Sequence, residues 1–167
     1  MNEVFDAKVT IRGTLHTLTS IKALLGQSVN ERRRTMFCSA VFGKWLDFPE
    51  YSNDNLLLNY IFQHEADTFH GLQNSLFCDR VFSDKISKPL KKVRVLELLG
   101  LIKSPKKWFA LSDEDSVKVC LLLVSNIVFM GREPKNYIAD NLTKLVDDLT
   151  AWDAYPWGEY LWRALYR

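Results

Sequence analysis

The sequence holds little of what breaks, cross-links or anchors a chain. Its 167 residues include only 7 Gly and 5 Pro, which excludes a collagen-like repeat and a flexible linker. There are 3 cysteines, Cys38, Cys78 and Cys120, and none forms a C-x-x-C pair. An odd, scattered set fits a reducing compartment rather than a disulfide framework. Charge of one sign is also scarce, with 22 basic and 20 acidic residues and a net +2. That is too near neutral to predict nucleic-acid or membrane binding by the molecule as a whole. The longest uncharged run, Val119 to Gly131, has 13 residues and is too short to span a bilayer. The first residues, MNEVFDAKV, carry Glu3 and Asp6 and no apolar core, so no secretory leader is expected. Nuclear or cytosolic residence follows as the expectation.

What is abundant is apolar and aromatic surface. Hydrophobic residues make up 47% of the chain, with 10 Phe, 6 Tyr and 5 Trp. A chain of this size buries roughly two-thirds of its unfolded surface, enough for one core. The predicted fold is mainly α, a single domain over 1–167 of about seven helices around a central apolar helix near 113–130.

Helical spacing runs through Leu18, Ile21, Leu24 and Leu25 up to Gly26. Lys8 to Arg12 alternates and reads as a short strand ended by Gly13. Ser28 and Glu31 read as a capping box for a helix with Val29, Met36, Phe37, Ala40 and Val41 on one side, closed by a left-handed Gly43. Arg32, Arg33 and Arg34 span about 200° of that helix and are expected to be a solvated face, with a docking patch as the alternative. Further helices are predicted after Ser52 and through Leu72 to Val81. Ser87, Lys88 and Pro89 predict a helix start, with Leu90, Val93, Leu96 and Leu99 buried and Gly100 as the stop. Leu101 to Leu111 reads as a loop or short extended pair. Ser112 then caps Asp113, Glu114 and Asp115 at the start of the apolar helix, which Gly131 closes. One helix is predicted from Pro134 through Ile138, Leu142, Leu145, Leu149 and Trp152, and a last short one from Glu159.

No constellation points to catalysis. A nucleophilic cysteine needs a base within hydrogen-bond reach. Cys38 and Cys120 read as core residues, and Cys78 stands eight residues after His70, about 12 Å along a helix. His64, Glu65, Asp67 and His70 are the one His/acid cluster, but they lack the i, i+4 pairing of a helical metal site. No cofactor-binding motif is present. The adjacent carboxylates Asp147 and Asp148 diverge on a helix and suit a cap or salt bridge.

The basic middle is the strongest non-core feature. Residues 80–107 hold nine basic residues against two acidic ones, whereas 111–167 hold six against nine. Lys88, Lys91 and Lys92 would share a helix face, and Lys103, Lys106 and Lys107 precede the stackable ring of Trp108. That composition suits phosphate-backbone binding or an acidic protein partner, but the ordinary expectation is a solvated lysine face beside a buried Trp.

Two segments carry a family likeness. The first is Val41-Phe42-Gly43-Lys44-Trp45-Leu46-Asp47-Phe48-Pro49, followed by Leu56-Leu57-Leu58. The second is Cys120 to Leu123, Met130-Gly131, Leu145-Val146-Asp147-Asp148-Leu149 and Tyr155-Pro156-Trp157-Gly158. Together they resemble the plant-specific domain found in transposon-derived proteins, which in longer members precedes a SUMO-type cysteine protease domain. The family's central F-x-I-G-G segment, expected to form a β-hairpin and helix, is absent near 64–77. The protease signature, Gln followed by Gly-x-Asp-Cys-Gly, is absent throughout. The resemblance therefore implies a non-catalytic interaction or accessory domain. It assigns packing roles to Phe42, Gly43, Leu46, Asp47, Gly131 and the Tyr155-Pro156-Trp157-Gly158 wedge, with Asp147 and Asp148 anchoring that turn. A nucleic-acid module using 80–107 is the alternative. A degenerate fragment is the other, and it would show an apolar patch near 56–77.

Overall fold

The computed structural model describes residues 11–47, 75–82 and 92–165. The described part is mainly helical, with nine α-helices and no strand among the described residues. In chain order these are α1 (Ile11–Leu25), α2 (Glu31–Ser39), α3 (Leu76–Val81), α4 (Val95–Lys103), α5 (Pro105–Ala110), α6 (Asp113–Leu123), α7 (Asp140–Leu145), α8 (Leu149–Asp153) and α9 (Trp157–Leu165). Short 3-10 turns occupy Ser28–Asn30 and Gly43–Asp47.

Helix α6 is the axis of the fold, as its apolar circumference predicts. Val117 to Val124 are all at most 1% exposed, including the polar-headed Lys118. α2 and α4 pack on α6, and α1 packs on its continuation. Ser112 begins it by accepting from the Asp115 N–H at 3.0 Å, as expected.

After Leu123 the helix widens into a π segment, Val124–Phe129. The side chains on its inner wall repair the ladder. Ser125 Oγ and Asn126 Nδ2 both donate to the Leu122 carbonyl, at 3.1 and 2.9 Å. Gly131, at φ 59°, then turns the chain through the left-handed region, and the Arg132 N–H closes on the Asn126 carbonyl at 2.9 Å. That closure is one residue longer than the usual glycine cap, as a π-turn requires.

Several elements differ from the sequence reading. Ile11 and Arg12 open α1 rather than a strand, and Gly13 lies within it. The remaining residues of that alternation, 8–10, lie outside the described residues. α2 begins at Glu31 because Asn30, not Ser28, stands at its start. Asn30 turns inward instead of capping: Nδ2 donates to the Leu24 carbonyl at 2.8 Å and Oδ1 accepts from Trp108 Nε1 at 3.3 Å. Val29 is consequently exposed. Gly43 is not left-handed. Its reason is closeness, since a Cβ there would lie 2.2 Å from the Cys38 carbonyl oxygen. Cys38 itself is exposed, not core.

The segment before α4 is extended because it pairs with a distant turn. Val95 N–H donates to Asn136 O at 3.0 Å, and Ile138 N–H donates to Val93 O at 2.9 Å, around an Arg94–Tyr137 bridge. That pairing holds residues 92–94 out of the helix, so α4 starts at Val95 and Leu96 is exposed, while the start expected at Ser87, Lys88 and Pro89, with Leu90, lies outside the described residues. α4 runs through Gly100 to Lys103, and 105–110 is the helix α5, so the expected loop is largely helical. The long helix expected from Pro134 is a turn plus α7 and α8. It is cut where Asp148 accepts from the Thr150 and Ala151 N–H groups at 2.9 and 3.1 Å. The helices expected between Ser52 and Leu72, and the apolar patch expected over 56–77 apart from Ser75 to Phe77, lie outside the described residues.

Gly100 offers a direct check. A Cβ there meets nothing within 4 Å, and a helical Gly costs about 0.5–1 kcal/mol against Ala. Gly100→Ala is expected to raise the melting temperature by about 2–3 °C in a calorimetric scan.

Candidate interaction surface

Most of the charged side chains that the fold encloses are consumed by the fold. Arg33, read as part of a solvated face, is 6% exposed. Its Nε donates to Asp113 Oδ1 at 2.9 Å, and Nη1 and Nη2 donate to the Trp108 and Leu111 carbonyls at 3.2 and 2.9 Å. The guanidinium also lies 4.9 Å from the Trp108 ring centre. Lys118, buried on α6, donates from Nζ to the Asp147 carbonyl at 3.0 Å and pairs with Glu114 at 2.6 Å. Arg80 bridges to Asp115 at 2.8 Å, with Asp147 at 3.9 Å.

Asp147 and Asp148 each hold a helix start, and Asp147 holds that of α3 rather than the wedge turn expected of it. Asp148 caps α8, which leads into the Tyr155–Gly158 wedge. Asp147 reaches across to α3, accepting from the Leu76 and Phe77 N–H groups at 2.7 and 2.6 Å. The wedge packs as its composition suggests. Trp157 and Pro156 are buried, Tyr155 and Gly158 are half-buried, and the Trp157 ring meets Phe42, Trp152, Tyr155 and Tyr160. Phe42 is buried, and Leu46 leans on the core from the Gly43–Asp47 turn.

Asp115 shows the electrostatics of this arrangement. Burial pushes its carboxyl up, but the Arg80 and Ser112 hydrogen bonds, with the charges of Arg80 and Lys118, together hold it below the ordinary aspartate range. A depressed folded pKa gives stability that is present above the unfolded value and lost as pH falls through the folded one. The Arg80→Gln protein is therefore expected to be about 1 kcal/mol less stable than wild type near pH 7. That gap should close as the pH falls below about 4, read from urea unfolding at stepped pH.

The thiols divide in the same way. Burial pushes Cys120 up to about 12. Burial also raises Cys78, helped by the charges of Asp147 and Asp79 and opposed by hydrogen bonds to Ser75 and Thr143. A raised thiol is the opposite of an activated nucleophile. Mass spectrometry after iodoacetamide treatment near neutral pH should find Cys38 labelled first, Cys78 slowly and Cys120 only after unfolding. No group of three His, Cys, Asp or Glu among the described residues could hold a metal ion. His64, Glu65, Asp67 and His70 lie outside them.

The cations left outward form a short basic edge. Lys103 ends α4, and Pro105 starts α5 directly after Ser104. Within α5, Trp108 is fully buried against Asn30 and Arg33, so it offers no stacking face. Lys106, Lys107 and Phe109 point outward instead, and Phe109 is 53% exposed. Among the described residues no carboxylate pairs with Lys103, Lys106 or Lys107. Lys92 is exposed but stands in the extended chain before α4, so it does not join a helical face with Lys88 and Lys91, which lie outside the described residues. The expected solvated lysines beside a buried Trp are what the structure shows at Lys106, Lys107 and Trp108, whose indole N–H donates to Asn30 Oδ1, whereas the exposure of Phe109 was not foreseen.

No helix among the described residues is long and apolar enough to cross a membrane. Comparison with protein families, curated proteins and solved structures finds no match to this chain.

Proposed function

We propose that the chain is a non-catalytic interaction domain that docks an acidic, partly apolar segment of a partner protein on the edge of Lys103, Lys106 and Lys107. Phe109 supplies the apolar contact. The observation that carries this is that those lysines pair with no carboxylate among the described residues and stand beside an exposed ring. Elsewhere the enclosed charges are already committed to caps and ion pairs. The likeness of residues 41–49 and 56–58, and of 120–123, 130–131, 145–149 and 155–158, to the transposon-derived plant domain agrees with an interaction or accessory role.

The test is fluorescence anisotropy with a labelled Glu/Asp-rich peptide containing Leu and Phe. Exposed ion pairs are worth about 0.2–1 kcal/mol each. Lys106→Gln with Lys107→Gln should therefore weaken binding about fivefold, and Phe109→Ser should weaken it further. Binding should fall with added salt. Equal affinity of the charge-removed protein would sink the proposal.

A second reading follows from the same exposed ring. Bases of a single strand stack on aromatic faces beside cations without regard to sequence. A labelled oligonucleotide bound more tightly than the peptide, with a steep salt slope, would favour nucleic acid as the partner.

A further inference from the structure

A cleft of about 350 Å³ opens between α1, α4 and the turn that follows the π segment. That volume is at the lower end of small-molecule sites. Its walls are apolar where Leu99 and Ile102 of α4 meet Ile127 and Pro134. Ile127 reaches the wall from within the π segment, and such wide turns recur at functional sites.

The polar lining of the cleft carries charge of mainly one sign. Lys103 and Arg132 line it, with His16 on the α1 side. Glu133 is its one carboxylate among the described residues, and Glu133 already pairs with Lys135 at 2.7 Å. Arg132 donates through Nη1 to the Tyr137 carbonyl at 3.5 Å, which leaves the rest of its fork. Lys103 pairs with no acid among the described residues. A planar guanidinium fork suits a carboxylate, and an ammonium adds a point charge. One or two net positive charges suit a monoanion better than a polyphosphate.

We propose that this cleft binds a small organic carboxylate with an apolar tail. The head group meets Arg132 and Lys103, and the tail lies on Leu99, Ile102 and Ile127. The cleft shares Lys103 with the docking edge but needs neither Lys106, Lys107 nor Phe109, so Arg132→Gln and the Lys106→Gln/Lys107→Gln protein tell the two apart.

The test is a two-dimensional amide NMR titration of the full chain with octanoate. Octanol carries the tail without the charge, and acetate carries the charge without the tail. Octanoate is expected to shift the Thr17, Gly131 and Arg132 amides saturably. Octanol and acetate should each bind at least tenfold more weakly. Arg132→Gln and Lys103→Gln should each weaken octanoate at least fivefold with unchanged melting temperature. Ser20→Phe, which places a ring in the cleft, should abolish binding. The Lys106→Gln/Lys107→Gln protein should bind octanoate like wild type, and Arg132→Gln should bind the acidic peptide like wild type. The proposal is overturned if no amide shifts saturably, if octanol binds as tightly as octanoate, or if the Arg132 and Lys103 variants keep wild-type affinity.

Discussion

Arg33→Ala is expected to lower stability by about 3 kcal/mol, the lower end of what breaking a buried charged pair costs. Arg33 is 6% exposed and serves three acceptors, on Trp108 of α5, Leu111 after it and Asp113 at the start of α6, plus the Trp108 face. Its removal leaves the Trp108 and Leu111 carbonyls without that donor and opens space beside the ring. Asp113 suffers less, because its carboxylate is 35% exposed and water can solvate it. Asp113→Ala should also be destabilising, because it leaves the buried Arg33 guanidinium with two carbonyls and no carboxylate. Arg33→Lys should cost less than Arg33→Ala, since one ammonium keeps a charge there but cannot reach all three acceptors. Melting temperatures measure this, with a drop of about 6–12 °C expected for Arg33→Ala. A drop within 1 °C or so would show that Arg33 is a solvated surface residue after all.

Trp157→Ala should cost about 4 kcal/mol, the middle of the range for deleting a buried aromatic. The ring is 5% exposed, stands 4.4 Å from Trp152 and 4.9 Å from Phe42 between ring centres, and donates from Nε1 to the Trp152 carbonyl at 2.7 Å. Trp157→Phe keeps much of the ring stack and loses that hydrogen bond. It should cost about 1–2 kcal/mol. Urea unfolding followed by tryptophan fluorescence separates the two. A small effect of Trp157→Ala would mean that the wedge is a surface feature, free to act as a binding ring.

Some local signals in this sequence were readable, others such as Ser28, Gly43 and Gly100 were not, and the distant ones left no trace. Ser112 caps the residues beside it, Gly131 turns its own backbone, and Trp157 stands in an obvious aromatic turn. Each is decided within a few positions, so composition and spacing suffice. The mainly α fold followed from the same periodicity. Arg33 was misread because its acceptors lie 75 to 80 residues away. The start of α4 was misread because Tyr137, 43 residues on, holds Arg94 in an extended bridge. The π-turn left no trace, since Ser125 and Asn126 look like ordinary polar insertions in an apolar helix. In the candidate surface, the lysines could be read from sequence. The inward turn of Trp108 and the exposure of Phe109 depend on Asn30 across the fold. The cleft was invisible because it joins α1, α4 and the residues after the π-turn.

The most direct measurement of the docking account is an amide chemical-shift map of the protein titrated with the acidic peptide at low and high salt. The account predicts saturable shifts concentrated at residues 103–110, shrinking as salt rises and lost in the Lys106→Gln/Lys107→Gln protein. Shifts that gather elsewhere on the molecule, or none at peptide concentrations well above those of the anisotropy titration, would contradict it.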